Sequence, residues 1–301
     1  MTRKRRPLRD ILRRCYGEDG YDPIDNAVKS YDLAISSMRE KLESFRCERI
    51  GVHRCYLGDC RELLPLLPKL NCVITDPPYS SGARTDSERQ VRGAMLRSME
   101  DQDWFSHDAM TTWGFNWFVR SVFSDMRQNL TEGAHVYVFI DWRQTPNVYG
   151  MLESCGYRVN HCLVWAKTHF GMGSYWRNQH ENIVFASNGM PAEMLDHGKG
   201  SVLTFTNTSP AARVHPTEKP VSLILDMIEA VPGDVIFDPF MGSGSAGVAC
   251  ARAGRRFIGC EINPHHFETA CRRITEATNR PDMFVHPPAP EAEQLALPEG
   301  L

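Results

Sequence analysis

A chain of 301 residues, 42% of them hydrophobic, can bury the core of one large domain or two smaller ones. Its net charge of −3 excludes a uniform polycation, so any nucleic-acid contact has to come from local basic patches. No stretch approaches the roughly 18 uninterrupted apolar residues of a membrane span, and the opening MTRKRRPLRDILRR has no apolar segment behind its charges. A cytoplasmic protein without membrane contact is expected, its ten scattered cysteines reduced and mostly buried.

In chain order the first feature is a basic arm. Arg3, Lys4, Arg5, Arg6, Arg9, Arg13 and Arg14 stand against a single acid, Asp10, and such a run is either a solvated tail or a phosphate-binding arm. VKSYDLAISSMREKLESF (28–45) has apolar residues at helical spacing and predicts an accessory helix, which together with the arm makes up 1–46. Short buried strands are predicted at NCVITD (71–76), HVYVFID (135–141), CLVWAK (162–167), NIVFAS (182–187), DVIFD (234–238) and RRFIGCEI (255–262). Helices are predicted at 117–130, 146–156 and 220–231. This alternation implies an α/β domain over 47–279 with a largely parallel sheet. Two long segments interrupt it, 80–113 and 168–214, and loops of that length carry function or are disordered. The tail, 280–301, reads as flexible.

DVIFDPFMGSGSAGVACARAGRRFIGCEI places a glycine turn between a strand and a helix, then a second strand ending in an acid. Gly242, Gly244 and Gly247 satisfy G-x-G-x-x-G, and Glu261 lies near the spacing of a ribose-binding carboxylate, which makes a nicotinamide dehydrogenase a rival. Two features weigh against it. Too few residues follow Glu261 to supply the rest of a doubly wound sheet, so the other strands must come from the N-terminal half. Asp238 and Pro239 directly precede the turn, where a carboxylate would repel a pyrophosphate. S-Adenosylmethionine fits better: its ammonium can pair with Asp238, its carboxylate with backbone N–H groups of the Gly242–Gly244 turn, and its ribose hydroxyls with Glu261.

Asp76, in ITDPPY, also ends a predicted strand, and ligands of parallel α/β sheets bind beyond the carboxyl ends of strands. The two motifs can therefore face one crevice. Pro77 and Pro78 forbid helix and stiffen the loop. Asp76 Oδ and the Pro77 carbonyl suit the two hydrogens of one exocyclic amine, and Tyr79 offers a flat face to a base. Two acceptors on such an amine would localise its lone pair for in-line attack on a sulfonium methyl, a step that needs positioning and electrostatics more than a strong base. Alone, DPPY would read better as a proline-stiffened turn with a packed tyrosine, and the glycine turn facing the same crevice reverses that reading.

With these residues on the page, the sequence resembles a β-class amino-group DNA methyltransferase, the circularly permuted group in which the target-amine motif precedes the cofactor motif. The likeness runs from LGDC at 57 to a helix ending near Ile274. It rests on YLGDCRELLPLLPKLNCVITDPPY, LVWAKTHFGMGSYWRNQHENIVFASNG, HPTEKPVSLI, DPFMGSGSAGVA and GCEINPHHFETACRRI. It implies a mixed seven-stranded sheet with helices on both faces and one antiparallel hairpin strand. A target-recognition region at about 168–214, a base flipped from double-stranded DNA and adenine N6 as acceptor are implied too, DPPY standing where SPPY would point to cytosine N4. The resemblance places Asp59 and Cys60 near the cofactor's adenine and Thr217 and Lys219 at its methionine end, with His215, Pro239, Phe240, Ser243 and Asn263 in the same site. Glutamine methyltransferases share a similar loop but carry the cofactor motif first. A catalytically degenerate DNA-binding regulator is the alternative of another class, disfavoured by the intact motifs.

THFGMGSYWRNQHEN (168–182) interleaves aromatics with cations, and His169, Tyr175, Trp176 and Arg177, with Lys167 beside them, are candidates for DNA contact. The bland reading is a loop that buries its aromatics. Arg143 either contacts the target strand or pairs with Asp141. His265 and His266 read as a helix start, and methyl transfer calls for no metal. Trp104, Trp113 and Trp117 read as core or dimer packing. A homodimer is expected, through the 28–45 helix and the tryptophan-rich segment, since so short a chain leaves little room for a separate recognition domain.

Overall fold

The computed structural model describes residues 23–78, 112–171, 175–206 and 218–280; the basic arm, Tyr79, Trp104, most of the 80–113 loop, His215, Thr217 and the C-terminal tail lie outside them. The chain divides into two units, Met1–Phe45 and Arg46–Leu301. In the first, helix α1 spans Pro23–Glu43. It starts earlier than periodicity predicts because proline is well suited to the first helical position, where its missing N–H costs nothing. Leu33 and Met38 on it are exposed.

The second unit is built on one sheet. Its strands are β1 (Arg46–Ile50), β2 (His53–Leu57), β3 (Leu70–Thr75), β4 (Leu130–Ile140), β5 (Arg158–Lys167), β6 (His180–Ser187), β7 (Val202–Phe205), β8 (Val235–Asp238) and β9 (Arg256–Glu261). Their order across the sheet is β1-β2-β9-β8-β3-β4-β6-β5-β7. The expected count of seven is therefore corrected to nine among the described residues: β2 to β5 in that order form the seven, and one further strand is added at each edge. β6 is the antiparallel insert, paired with β4 on one side and β5 on the other; β1 is also antiparallel, against β2, while β7 is parallel to β5. Central strands β3 and β4 are buried along nearly their whole length, as strands covered on both faces must be.

The helices are α2 (Cys60–Leu63), α3 (Thr112–Asn129), α4 (Thr145–Ser154), α5 (Val221–Ala230), α6 (Ser245–Ala253) and α7 (Pro264–Thr278). From β3 the chain crosses through α3 to β4, while from β8 it crosses through α6 to β9 on the opposite side. Right-handed crossovers in opposite directions put the helices on opposite faces and leave a crevice where they diverge, beyond the carboxyl ends of β3 and β8. α5, α6 and α7 pack as one layer and α3 and α4 as another. The nine described cysteines are free thiols, six of them buried. Among the described residues no helix is long and apolar enough to cross a membrane.

Candidate active site

β3 and β8 run parallel, with Cys72 opposite Ile236 and Val73 opposite Phe237, so both strands end at the same level of the crevice. Asp76, Pro77 and Pro78 leave the end of β3, and Asp238 closes β8. The buried Thr75 hydroxyl donates to Asp238 Oδ1 at 2.8 Å, a direct bond between segments 163 residues apart in sequence. The two motifs expected to share a crevice are thus physically joined.

Asp238 is 5% exposed. Oδ1 also accepts the Phe240 N–H at 3.0 Å, and among the described residues no cation pairs with this carboxylate. Burial pushes its carboxyl up to about 7 against the bonds from Thr75 and Phe240, with the charges of Asp76 and Glu261 adding to the rise. A buried carboxylate so placed is suited to a ligand cation. The glycine turn beside it has two different reasons for its glycines. Gly244, at φ +82°, would drive a Cβ to 2.8 Å from that of Ala270 on α7, a helix-packing constraint. Gly242, at φ +53°, would place a Cβ no nearer than 3.9 Å to any atom compared, Phe240 O, which leaves room above the backbone for a ligand.

Glu261 holds the turn from the next strand. Its Oε2 accepts the Gly242 N–H and its Oε1 the Asn263 N–H, each at 2.8 Å. A carboxylate has about four lone-pair directions, so acceptor capacity for ribose hydroxyls remains. Asn263 itself caps α7, its side chain accepting from His265 N and His266 N, and the two histidines start that helix. Arg273 of α7 donates to the Ser243 carbonyl at 2.7 Å and hydroxyl at 2.9 Å and pairs with Glu218, tying the segment before α5 to the glycine turn.

Asp59 caps α2, accepting from Arg61 N and pairing with its guanidinium at 2.5 Å, an arrangement that holds the Asp59 carboxyl below the usual carboxylate range. Arg61 lies over Phe118, whose ring contacts Phe240 at 5.8 Å, and Gly58 N–H bonds the Glu261 carbonyl at 2.9 Å. Asp59 and Cys60 therefore stand beside the Glu261 and Phe240 side of the crevice, with the Cys60 thiol buried and pushed up to about 12 by that burial.

Lys219, expected at the cofactor's methionine end, instead reaches Asp76, its Nζ lying 2.5 Å from Oδ2 and 3.3 Å from Glu181 Oε2. Lys167, expected at DNA, is 17% exposed and pairs with Glu181 Oε1 at 2.5 Å, because a carboxylate from the adjoining strand faces it across the hairpin. Burial by itself would lower Lys219, but the two carboxylates outweigh it and hold the ammonium above its ordinary range. Glu181 is held low for the complementary reason, its two lysines outweighing its own burial.

The hairpin loop between β5 and β6 does not bury its aromatics: Phe170, Tyr175 and Trp176 are exposed, the last completely. His169 is exposed too. Arg177 lies over Phe170 at 3.9 Å and donates to the Gly171 carbonyl, so it braces the loop. Arg143 packs over Trp142, and Asp141 accepts from Gln144 N. Trp113 and Trp117 are exposed on successive turns of α3, which overturns their core reading. Thr75, Glu181, Glu218 and Arg273 were not among the expected site residues.

The family model that matches residues 70–272 is that of N6/N4-type DNA methylases. The chain belongs to this DNA methylase family. YubD of Escherichia coli (strain K12), provisionally described as a methylase, is 28% identical over 221 residues, covering 72% of this chain and 88% of that protein. The crystal structure of M1.HpyAVI in complex with SAM shares the fold at a TM-score of 0.56 and 20% identity, covering 73% of this chain and 98% of that one. PvuII DNA methyltransferase, which is cytosine-N4-specific, does so at a TM-score of 0.57 and 15% identity, covering 78% and 96% respectively.

Proposed function

We propose that the protein is a site-specific DNA methyltransferase that moves a methyl group from S-adenosylmethionine to N6 of an adenine flipped out of double-stranded DNA. The observation that supports this reading most is the Thr75–Asp238 bond, which joins the end of β3, where the Asp-Pro-Pro-Tyr loop begins, to the carboxylate that closes β8. Bound S-adenosylmethionine supplies an electrophilic methyl on a positively charged sulfur. Asp238 would take its ammonium, Gly242 the room its methionine backbone needs, and Glu261 its ribose hydroxyls. Asp76 and the Pro77 carbonyl would accept the two amine hydrogens, raising electron density on nitrogen and aligning it with the methyl. Methyl transfer would form the nitrogen–carbon bond at the expense of the carbon–sulfur bond, and Asp76, or water beside it, would take the surplus amine proton.

The exposed aromatics of the hairpin loop supply stacking faces for DNA, and the basic arm supplies sequence-independent phosphate contacts. A homodimer working on a twofold-symmetric site remains part of the proposal, supported by the exposed Leu33 and Met38 of α1 and Trp113 and Trp117 of α3; light scattering across a dilution series with a full site would report a constant monomer mass if it is wrong. Mass spectrometry of nucleosides from DNA treated with the protein and S-adenosylmethionine tests the activity. N6-methyladenine supports the reading, N4-methylcytosine moves it to the other amine of the family, and neither product refutes it.

A further inference from the structure

Four side chains of alternating sign run in a row through the interior: Asp76, Lys219, Glu181 and Lys167, linked at 2.5, 3.3 and 2.5 Å. They come from four places, the loop after β3, the segment before α5, the head of β6 and the end of β5. Lys219 is 6% exposed and Glu181 20%. Charges are costly to bury, and pairs of them seldom stabilise a fold more than well-packed apolar side chains would. A chain of four therefore asks for a reason other than stability, and its one end supplies it: Asp76, the carboxylate proposed to grip the target amine.

We infer that Glu181 is a positioning residue for methyl transfer, anchoring Lys219 so that its ammonium fixes the rotamer of Asp76; this rests on the proposed function of Asp76. Lys167 in turn holds the second oxygen of Glu181, so the carboxylate cannot swing away from Lys219. The ring of Phe139, on β4, lies 5.7 Å from Lys219 Nζ at its centre. Because Glu181 and Lys167 sit at the base of the hairpin whose loop carries Tyr175 and Trp176, the strand pair that presents aromatics to solvent also sets the catalytic carboxylate. Lys219 acts here on Asp76, not on the cofactor.

The test is a split between chemistry and binding. Glu181→Gln keeps the size and one acceptor oxygen but removes the charge that holds Lys219. Single-turnover methylation should slow on the order of 100-fold, the scale of a small misplacement at a reacting centre, while the dissociation constant for S-adenosylmethionine from calorimetry stays within threefold. Should the stranded Lys167 ammonium impair folding, Glu181→Gln combined with Lys167→Met removes it and should show the same slow transfer. An unchanged rate in either folded variant would overturn the inference. So would loss of cofactor affinity in parallel with rate, since that would return Lys219 to the cofactor. Methylation by the wild-type protein in the same assay tests the underlying reading separately: without it, the function fails and not the role of Glu181 alone.

Discussion

Two carboxylates at the ends of adjacent strands live under opposite conditions. Asp76 has a protein cation at 2.5 Å, and Asp238, deeper and without one among the described residues, receives only a hydroxyl and a backbone N–H. The first is neutralised by the fold itself; the second carries an uncompensated burial cost that pushes it up to about 7. On the proposed function this contrast is a division of labour: one site would be set before any ligand arrives, and the other would be completed by a ligand's positive charge.

The sharpest way to break this comparison is to remove each acid in turn. Asp76→Ala should cut the methylation rate by about 10³-fold, the upper range for losing one preorganised polar contact at a reacting centre, while cofactor binding is held within a fewfold because Asp238 and Glu261 are untouched. If single-turnover rates stay near wild type, Asp76 does not grip the amine.

Asp238→Asn should do the reverse. The amide keeps the oxygen that Thr75 and Phe240 use but loses the charge, so affinity for S-adenosylmethionine should fall about 10²-fold by calorimetry, a charge-assisted bond being worth roughly 1.5–3 kcal/mol. The cofactor-free protein should become more stable at pH 8. The sign follows from the raised value: the folded state holds the proton longer than the unfolded chain does. The burial penalty is thus absent below the ordinary carboxyl range, grows as pH rises, and is complete above about 7. Near pH 7 cofactor binding should also release protons, visible as a dependence of the calorimetric heat on buffer ionisation enthalpy. A variant less stable than wild type at pH 8, or binding without proton release, would show that Asp238 is already satisfied in the free protein.

The glycine turn gives a structural counterpart of the same contrast. Gly244→Ala meets Ala270 at 2.8 Å in a left-handed backbone and should lower stability by roughly 2–4 kcal/mol. Gly242→Ala meets no atom closer than 3.9 Å, so beyond a backbone cost of about 1 kcal/mol its effect should fall on cofactor affinity. Thermal unfolding of the two variants with and without cofactor separates them, and equal melting temperatures would remove the distinction.

What sequence pattern could show follows the same physics. The six strands it predicts are those with apolar runs long enough to stand out, and each occurs. β1, β2 and β7 escaped because RCERI is a charged edge strand, HRCYL is a five-residue strand with His53 and Arg54 in it, and VLTF is a four-residue edge strand exposed at alternate positions; edge strands need no continuous apolar run. Both ligand-facing motifs were legible because proline and glycine mark special backbone wherever they occur. The contact of Lys219 with Asp76 was not foreseen, and Glu181 was overlooked, for one reason: their partnership depends on which residues of three distant segments meet, and no local pattern states that. Thr75 is invisible in the same way, a common strand residue whose hydroxyl matters only because β8 lies alongside.

The smallest effect expected concerns the hairpin loop, where the contrast is between side chains that hold the protein together and side chains that hold nothing in it. Trp165, two residues before Lys167 on the same strand, is 2% exposed and donates its indole N–H to the Phe205 carbonyl at 2.9 Å; Trp176 is 100% exposed. A wholly exposed tryptophan contributes little to folding, so Trp176→Ala should leave stability within about 0.5 kcal/mol of wild type. Its exposed ring would still be a stacking face for a base, a contact worth roughly 1–3 kcal/mol, and partial compensation by Tyr175 next to it argues for the low end. The expected result is about a fivefold weaker KM for DNA with an unchanged cofactor dissociation constant and an unchanged single-turnover rate at saturating DNA. If Trp176→Ala instead lowers the melting temperature substantially, the loop is a structural element folded onto the protein in solution, and the assignment of its aromatics to DNA is wrong.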